Sequence, residues 1–188
     1  MTICIFPGTF NPIHMAHLRM AQFAAEKFGF EKIIFIPSYI PPHKQIDSNL
    51  AKHRYNMVKM AVEKNLRFGI SDIEYKSEGK SYTILTVKKI IAQYKVEGRL
   101  NLIIGTDAFK NIKSWYQTDE LKNLVHFLVF PRGEDIINPD DFKDYSYEIV
   151  DCPKYDISST DFREKHQGTI TDKVKEYITN NGLYNGRN

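Results

Sequence analysis

The stretch over residues 2–21, TICIFPGTFNPIHMAHLRMA, constrains the fold of this chain more than any other. It opens with the apolar run ICIF, which is typical of a buried strand and stops abruptly at Pro7 and Gly8. Leu18 and Ala21 then continue a helical pattern. The stretch therefore predicts a strand, a tight turn and the start of a helix, in that order.

Two histidines, His14 and His17, stand three positions apart at the predicted helix start. Residues at this spacing lie on one helix face, so both imidazoles are placed to address the same phosphate group. The glycine turn before them lets backbone N–H groups approach a ligand, and a helix N-terminus favours anions. Histidines that only cap or line a helix would have the same spacing. The pattern thus predicts a phosphate site, with a structural role as the alternative.

The segment over residues 8–17, GTFNPIHMAH, resembles the GTFxPxHxGH signature of the nucleotidyltransferase superfamily. Proteins of that superfamily hold the histidine pair above a Rossmann-like sheet and transfer a nucleotidyl group from a nucleoside triphosphate. The resemblance implies that Gly8, Thr9 and Phe10 contact ATP. It also implies that His14 and His17 bind the ATP phosphates and act in catalysis.

Two positions depart from that signature, since Pro7 and Ala16 stand where glycine is usual. Proline has no backbone N–H to offer a phosphate. The methyl group of Ala16 is expected to narrow the site where the nucleotide passes.

Composition and cysteine usage set wider limits on the class of protein. The 188 residues, 42% of them hydrophobic, are enough to bury one sizeable core, which predicts one domain over residues 1–188. A net charge of +3 is too small to indicate a nucleic-acid polymer or a membrane as partner. Cys4 and Cys152 are far apart in sequence, which favours a reducing compartment. With no signal peptide and no apolar run near the ~20 residues that span a bilayer, we expect a cytoplasmic protein.

The apolar pattern along the chain predicts the fold class. Strands are expected over residues 3–6, 32–37, 68–75, 99–105, 126–132 and 147–150, and the main helices over 14–28, 50–65, 81–94 and 172–182. A strand, a helix and a strand within about 35 residues form a βαβ unit, which implies parallel pairing and a right-handed crossover. The prediction is an α/β, Rossmann-like, doubly wound fold whose mostly parallel sheet has five or six strands and helices on both faces.

The helix over residues 50–65 has an apolar stripe that includes Val58 and Val62. His53 and Arg54 fall outside that stripe, so they are expected on its solvated face.

Three loops that follow strands carry charged residues, at the edge where open α/β sheets bind ligands. The first, IPPHK, ends in His43 and Lys44, although an ordinary surface loop has similar composition. It resembles the corresponding loop of the nicotinate-nucleotide adenylyltransferases, which implies that Lys44 and His43 meet phosphates of the acceptor or ATP. Gly105 and Asp107 follow another strand, and Asp107 is expected either to cap a short helix or, by the family's GxD motif, to contact ribose or magnesium. Arg132 follows a third strand and suits bidentate phosphate binding.

Two further segments are candidates for an aromatic acceptor. Thr83, in the motif SYT, is an expected helix N-cap, and in the family this threonine region is associated with a pyridine ring. Trp115 and Tyr116 suit either the core or a platform for such a ring. The resemblance favours acceptor binding for all three.

The last motif, ISSTDFR, places Ser158, Ser159 and Thr160 at an expected helix start, with Arg163 on the same face as Thr160. An N-capped helix with a surface arginine is the structural alternative. The motif resembles the ISSTxxR pattern of the adenylyltransferases, which implies binding of ATP phosphates.

The resemblance covers essentially the whole chain and implies transfer of the adenylyl group of ATP to nicotinate mononucleotide. Mg²⁺ is expected to be bound mainly through the ATP phosphates, without a dedicated set of protein ligands. A sister enzyme such as a phosphopantetheine adenylyltransferase remains an alternative. A second alternative is a nucleotide sensor without turnover, in which Pro7 and Ala16 mark a decayed site. Whether the protein forms a homo-oligomer stays open.

Overall fold

The structure, a computed structural model, describes residues 1–42, 47, 49–77, 79–132, 136–153, 160, 163 and 169–185. Six strands form one sheet in the order β3-β2-β1-β4-β5-β6, and every neighbouring pair is parallel. The strands are β1 (Ile3–Gly8), β2 (Lys32–Pro37), β3 (Phe68–Ile70), β4 (Leu100–Gly105), β5 (Val125–Phe130) and β6 (Ser146–Ile149).

The described helices are α1 (Met15–Lys27), α2 (Leu50–Val62), α3 (Thr83–Tyr94), α4 (Thr106–Phe109), α5 (Thr118–Leu124) and α6 (Asp172–Asn180). Helices α1 to α5 lie between the strands, and α6 follows β6. Two single turns of 3₁₀ helix span Ile112–Ser114 and Pro139–Phe142. None of the helices in the described ranges is long and apolar enough to cross a membrane.

The sheet is buried on both faces because apolar residues run continuously along its strands. Cys4 and Phe6 of β1 point to one face, where they join the apolar cluster that includes residues of α1, α2 and α6. Ile3 and Ile5 point to the other face and pack in the cluster that includes α3 and α5. This arrangement confirms the predicted doubly wound α/β fold, with six strands that are all parallel.

The position of β1 at the middle of the sheet creates a place for a ligand. β1 pairs with β2 on one side and with β4 on the other. The connection after β1 therefore leads to one side of the sheet, and the connection after β4 leads to the other side. Their C-terminal residues, Gly8 and Gly105, lie at the same edge of the sheet. In open α/β sheets, ligands bind in the crevice at this switch point.

Several local predictions were wrong, the first being the end of β1, which continues past Phe6 to Gly8. β3 ends at Ile70 because residues 71–77 fold into turns, in which the N–H of Tyr75 donates to the Asp72 carbonyl at 2.9 Å. Asp107 does not cap α4; Gly105 is the N-cap, and Asp107 lies within the first turn. Arg54 is fully buried instead of solvated.

The two cysteines differ in environment and are not joined in a disulfide. Cys4 lies in β1 with no exposed surface, and burial raises the pKa of its thiol far above the ordinary value. Cys152 is partly exposed, and burial raises the pKa of its thiol as well.

Candidate active site

A cleft of about 890 Å³ opens at the C-terminal ends of β1 and β4. Its size is typical of a site for a small molecule or cofactor. It brings together predicted residues from distant parts of the chain: Gly8, Thr9, Phe10, His17, Thr83, Gly105, Asp107, Trp115, Tyr116, Arg132, Thr160 and Arg163.

The turn after β1 is shaped by Phe10, which borders the cleft but is only 2% exposed. Its ring packs edge-on against Phe6, with centroids 5.5 Å apart, and against His17 at 5.0 Å. A Cβ atom at Gly8 would lie 2.8 Å from Cζ of Phe10. Glycine is therefore required here, because any side chain would displace the ring that supports His17.

The two histidines are not equivalent. His17 borders the cleft, whereas His14 is not among the described residues that line it. The rings are stacked, with centroids 3.7 Å apart, and His14 is 1% exposed. The backbone N–H of His14 donates to Nδ1 of His17 at 3.2 Å. With Nδ1 as an acceptor, the neutral imidazole of His17 carries its proton on Nε2, which makes Nε2 a donor.

The second lip of the cleft follows β4 and β5. Thr106 joins the two strand ends, since its hydroxyl accepts from the Arg132 N–H at 2.9 Å. The Arg132 guanidinium lies 3.4 Å from the Asp107 carboxylate. A Cβ atom at Gly105 would lie 2.6 Å from Oδ1 of Asp107, so glycine leaves room for this pair. Half-exposed pairs contribute about 0–1 kcal/mol, so an incoming anion can replace the carboxylate beside Arg132.

Arg163 and Thr160 are tied to the turn after β1 through Asn11. The Arg163 guanidinium donates to the Asn11 carbonyl at 2.5 Å and to the Thr160 hydroxyl at 3.2 Å. The Tyr184 hydroxyl donates to the Asn11 side-chain oxygen, also at 2.5 Å. Asn11 and Tyr184 were not predicted as site residues, because Asn11 fills an unspecified position of the GTFxPxHxGH signature and Tyr184 belongs to none of the motifs.

The remaining wall is aromatic and lies beside the start of α3. The rings of Tyr82 and Tyr116 are 4.5 Å apart, and Trp115 borders the cleft while also packing on the apolar core. Thr83 is the first residue of α3, and Tyr82 is the N-cap, so the predicted capping role of Thr83 was wrong. Tyr82 was missed as a site residue, although its place within SYT was a usable signal.

Several further residues were singled out in the sequence. Lys44, Ser158 and Ser159 lie outside the described residues. Ala16 is 2% exposed and is not among the described residues that line the cleft, so its methyl group does not narrow it as expected. Pro7 does border the cleft. Across the described ranges, no three histidine, cysteine, aspartate or glutamate side chains are grouped as metal ligands.

Comparison with known proteins identifies the family to which the chain belongs. The family model described as cytidylyltransferase-like matches residues 5–165. The match therefore spans the histidine motif, β1 from Ile5 onward, the other five strands of the described sheet, and Arg163.

The nicotinate-nucleotide adenylyltransferase of Bacillus subtilis (strain 168) is 38% identical over 190 residues, covering 97% of each protein. Plasmodium falciparum nicotinic acid mononucleotide adenylyltransferase, complexed with NaAD, superimposes with a TM-score of 0.83 at 20% identity, covering 99% of this chain and 98% of that chain. Its complex with APC has a TM-score of 0.79 at 20% identity and the same coverage. These structures establish the shared fold. The chain belongs to the cytidylyltransferase-like family and, within it, to the nicotinate-nucleotide adenylyltransferases.

Proposed function

We propose that the protein transfers the adenylyl group of ATP to nicotinate mononucleotide, forming deamido-NAD and releasing pyrophosphate. The observation that carries this proposal is that a single cleft has two chemically different ends. One end has His17, Thr160 and Arg163, which suit a polyphosphate. The other has the aromatic pair Tyr82 and Tyr116 beside a helix start, which suits a flat ring carrying an anionic group.

The reaction needs no nucleophilic side chain. The phosphate of nicotinate mononucleotide is already an anion at neutral pH, and one of its oxygens attacks the α-phosphorus of ATP in line. The new P–O bond forms as the bond to pyrophosphate breaks, and pyrophosphate leaves with the electron pair. The protein must align two polyanions and stabilise the charge that develops on the oxygens.

We assign the donors around the triphosphate as follows. The Nε2–H of His17 donates to phosphate oxygens, and His14 fixes that tautomer through its backbone N–H. Arg163 and Thr160 supply further donors to the phosphates, and Gly8 and Thr9 allow the triphosphate close to the backbone. Gly105 and Asp107 border the nucleoside, and Arg132 serves either phosphate. Phosphate contacts by Lys44, Ser158 and Ser159 remain predictions.

Mg²⁺ fits this site as an ion carried by the triphosphate. The carboxylates that border the described part of the cleft are Asp47 and Asp107, and Asp107 is already paired with Arg132. This small number of protein oxygens is suitable for an ion that keeps several of its water ligands. Bound in this way, Mg²⁺ would neutralise charge on the leaving pyrophosphate. We also propose a cytoplasmic location, which the absence of a bond between the two cysteines supports.

The acceptor is expected to carry a carboxylate, so nicotinate mononucleotide should exceed nicotinamide mononucleotide in kcat/KM by about tenfold or more. The N–H groups of Thr83 and Ile84, the first two residues of α3, have no intrahelical acceptor and can bind a carboxylate, whereas the Leu85 N–H already donates to the Tyr82 carbonyl at 3.0 Å. A carboxamide would turn its own N–H donors towards them. Glu120, which would favour a carboxamide, pairs with Lys88 at 2.7 Å and does not border the described cleft.

The test is pyrophosphate release at saturating ATP and magnesium with nicotinate mononucleotide, nicotinamide mononucleotide or phosphopantetheine. Equal values for the two pyridine nucleotides would contradict the assignment of this end of the cleft. Turnover with phosphopantetheine alone would identify a sister enzyme. ATP binding without turnover on any acceptor would identify a sensor.

A further inference from the structure

Arg54 is a fully buried arginine on α2, and its side chain reaches two loops at the mouth of the cleft. One terminal nitrogen donates to the carbonyl of Thr9 at 2.8 Å and to that of Ser38 at 2.6 Å. The other donates to the carbonyl of Tyr39 at 3.1 Å. Thr9 follows β1 and Ser38 follows β2, and both border the cleft. One guanidinium thus crosslinks the turn after β1 and the loop after β2, next to the backbone bond from the Ser38 N–H to the Gly8 carbonyl at 2.9 Å.

The second loop is also held from the opposite direction by Ser81, which precedes α3. The Ser81 hydroxyl accepts from the N–H groups of Tyr39 and Ile40, at 3.0 and 3.1 Å. The Ser81 N–H donates to the Ile40 carbonyl at 2.8 Å. The peptide groups on both sides of Tyr39 are therefore fixed, by Arg54 at its carbonyl and by Ser81 at its N–H.

The charge of Arg54 has little direct compensation. Burial lowers the pKa of its guanidinium, and the nearby side chains of Tyr75, Tyr184 and Glu74 offset part of that shift. In the described part of the chain, no carboxylate lies within ion-pair distance of it. Glu74 is 5% exposed and accepts from the Thr86 hydroxyl at 2.7 Å.

A buried, weakly compensated guanidinium is unfavourable for stability, and an apolar residue of similar size would fill the same space in α2 at lower cost. The three carbonyls that it binds would then lose their donor. The arrangement therefore favours a role in the geometry of the two loops over a role in core packing.

We propose that Arg54 is a positioning residue that fixes the turn after β1 relative to the loop after β2. It thereby fixes the orientation of the backbone at Thr9 and Ser38, both of which border the cleft in which the substrates meet. This inference rests on the proposed function, because in-line transfer depends on the distance between the acceptor phosphate and the α-phosphorus of ATP. A misplacement of about 1 Å lowers the rate of such reactions by up to about 100-fold.

The experiment compares Arg54→Met, Arg54→Lys and Val62→Ala. Methionine keeps much of the volume and removes the donors, while lysine retains a donor that can reach one or two of the carbonyls. Val62 lies on the same helix, is 3% exposed and does not border the described cleft, so it controls for loss of stability alone. Steady-state kinetics are normalised to the folded fraction of each variant at a temperature well below its melting point.

In Arg54→Met, kcat should fall roughly 10–100-fold. The KM for ATP and the KM for the acceptor should each change by a smaller factor. Arg54→Lys should recover part of the loss in kcat. Val62→Ala should keep the wild-type kcat. Amide exchange over residues 38–40 should be faster in Arg54→Met than in Val62→Ala. A kcat of Arg54→Met within about twofold of wild type, or an equal loss in Val62→Ala, would overturn the proposal.

The measurements distinguish failure of the proposed function from failure of the positioning role of Arg54. A wild-type protein without turnover on any acceptor would refute that function, and amide exchange would then decide the role of Arg54. Unchanged exchange over residues 38–40 in Arg54→Met would refute the positioning role independently of activity.

Discussion

Replacing His17 with alanine should lower kcat by a factor on the order of 10²–10³, or ~3–4 kcal/mol, while changing ATP affinity far less. His17 borders the cleft, and the hydrogen bond from the His14 N–H to its Nδ1 makes Nε2 the donor. A donor fixed in this way gains strength as negative charge develops on the phosphate oxygens. Single-turnover kinetics together with equilibrium binding of ATP separate the two effects.

Asparagine at position 17 provides the matched control. Its side-chain oxygen can accept the His14 N–H in place of Nδ1, so the start of α1 is retained while the Nε2 donor is lost. His17→Asn should be about as slow as His17→Ala but melt closer to the wild type, because loss of a helix-start bond costs about 1 kcal/mol. Near-normal turnover of either variant would return His17 to a structural role.

Replacing Arg163 with alanine should raise the KM for ATP by roughly 10–100-fold, since a hydrogen bond to a charged group contributes about 1.5–3 kcal/mol. Its guanidinium borders the cleft beside the Thr160 hydroxyl and bridges to the carbonyl of Asn11. Arg163→Lys keeps the charge but lacks the planar fork of donors, so its KM for ATP should lie between those of the wild type and Arg163→Ala. Initial rates over a range of ATP concentrations give the measurement.

Tyr184→Phe tests whether Arg163 acts on the nucleotide or only through Asn11. It removes the other side-chain bond to Asn11 and leaves the cationic charge in place. We expect its KM for ATP to stay within about threefold of wild type. If Tyr184→Phe raised KM as much as Arg163→Ala, then the order of the Asn11 turn, and not the charge of Arg163, would determine ATP affinity.

The sequence predicted best where a single local signal determines the structure. A buried parallel strand is a continuous apolar run ended by glycine or proline, so β2 was predicted over the residues that it occupies, Lys32–Pro37. The same signals predicted the start of α1, but they ended β1 at Phe6, whereas the strand continues through Pro7 and Gly8. Together with the predicted crossover, they were enough for the α/β class and for the edge of the sheet that carries the cleft.

The predictions for Arg54 and β3 were wrong because their structures depend on contacts between distant segments. Helical periodicity places Arg54 outside the apolar stripe of α2, but its acceptors come from the loops after β1 and β2, which local sequence does not reveal. β3 stops early partly because the Tyr75 hydroxyl donates to the carbonyl of Ala51 on α2, at 2.8 Å. The spacing of the histidines could not show that their rings stack, with His17 alone bordering the described cleft.

The burial of Cys4 in the central strand makes its thiol a built-in reporter of breathing motions of the sheet. The thiolate is the nucleophile that attacks an alkylating reagent, so native protein should be labelled first at Cys152, which is partly exposed. Cys4 can react only when β1 separates from its neighbours β2 and β4. The slow labelling rate of Cys4, followed by mass spectrometry in Cys152→Ser, would thus measure the free energy of opening of the sheet centre without denaturant.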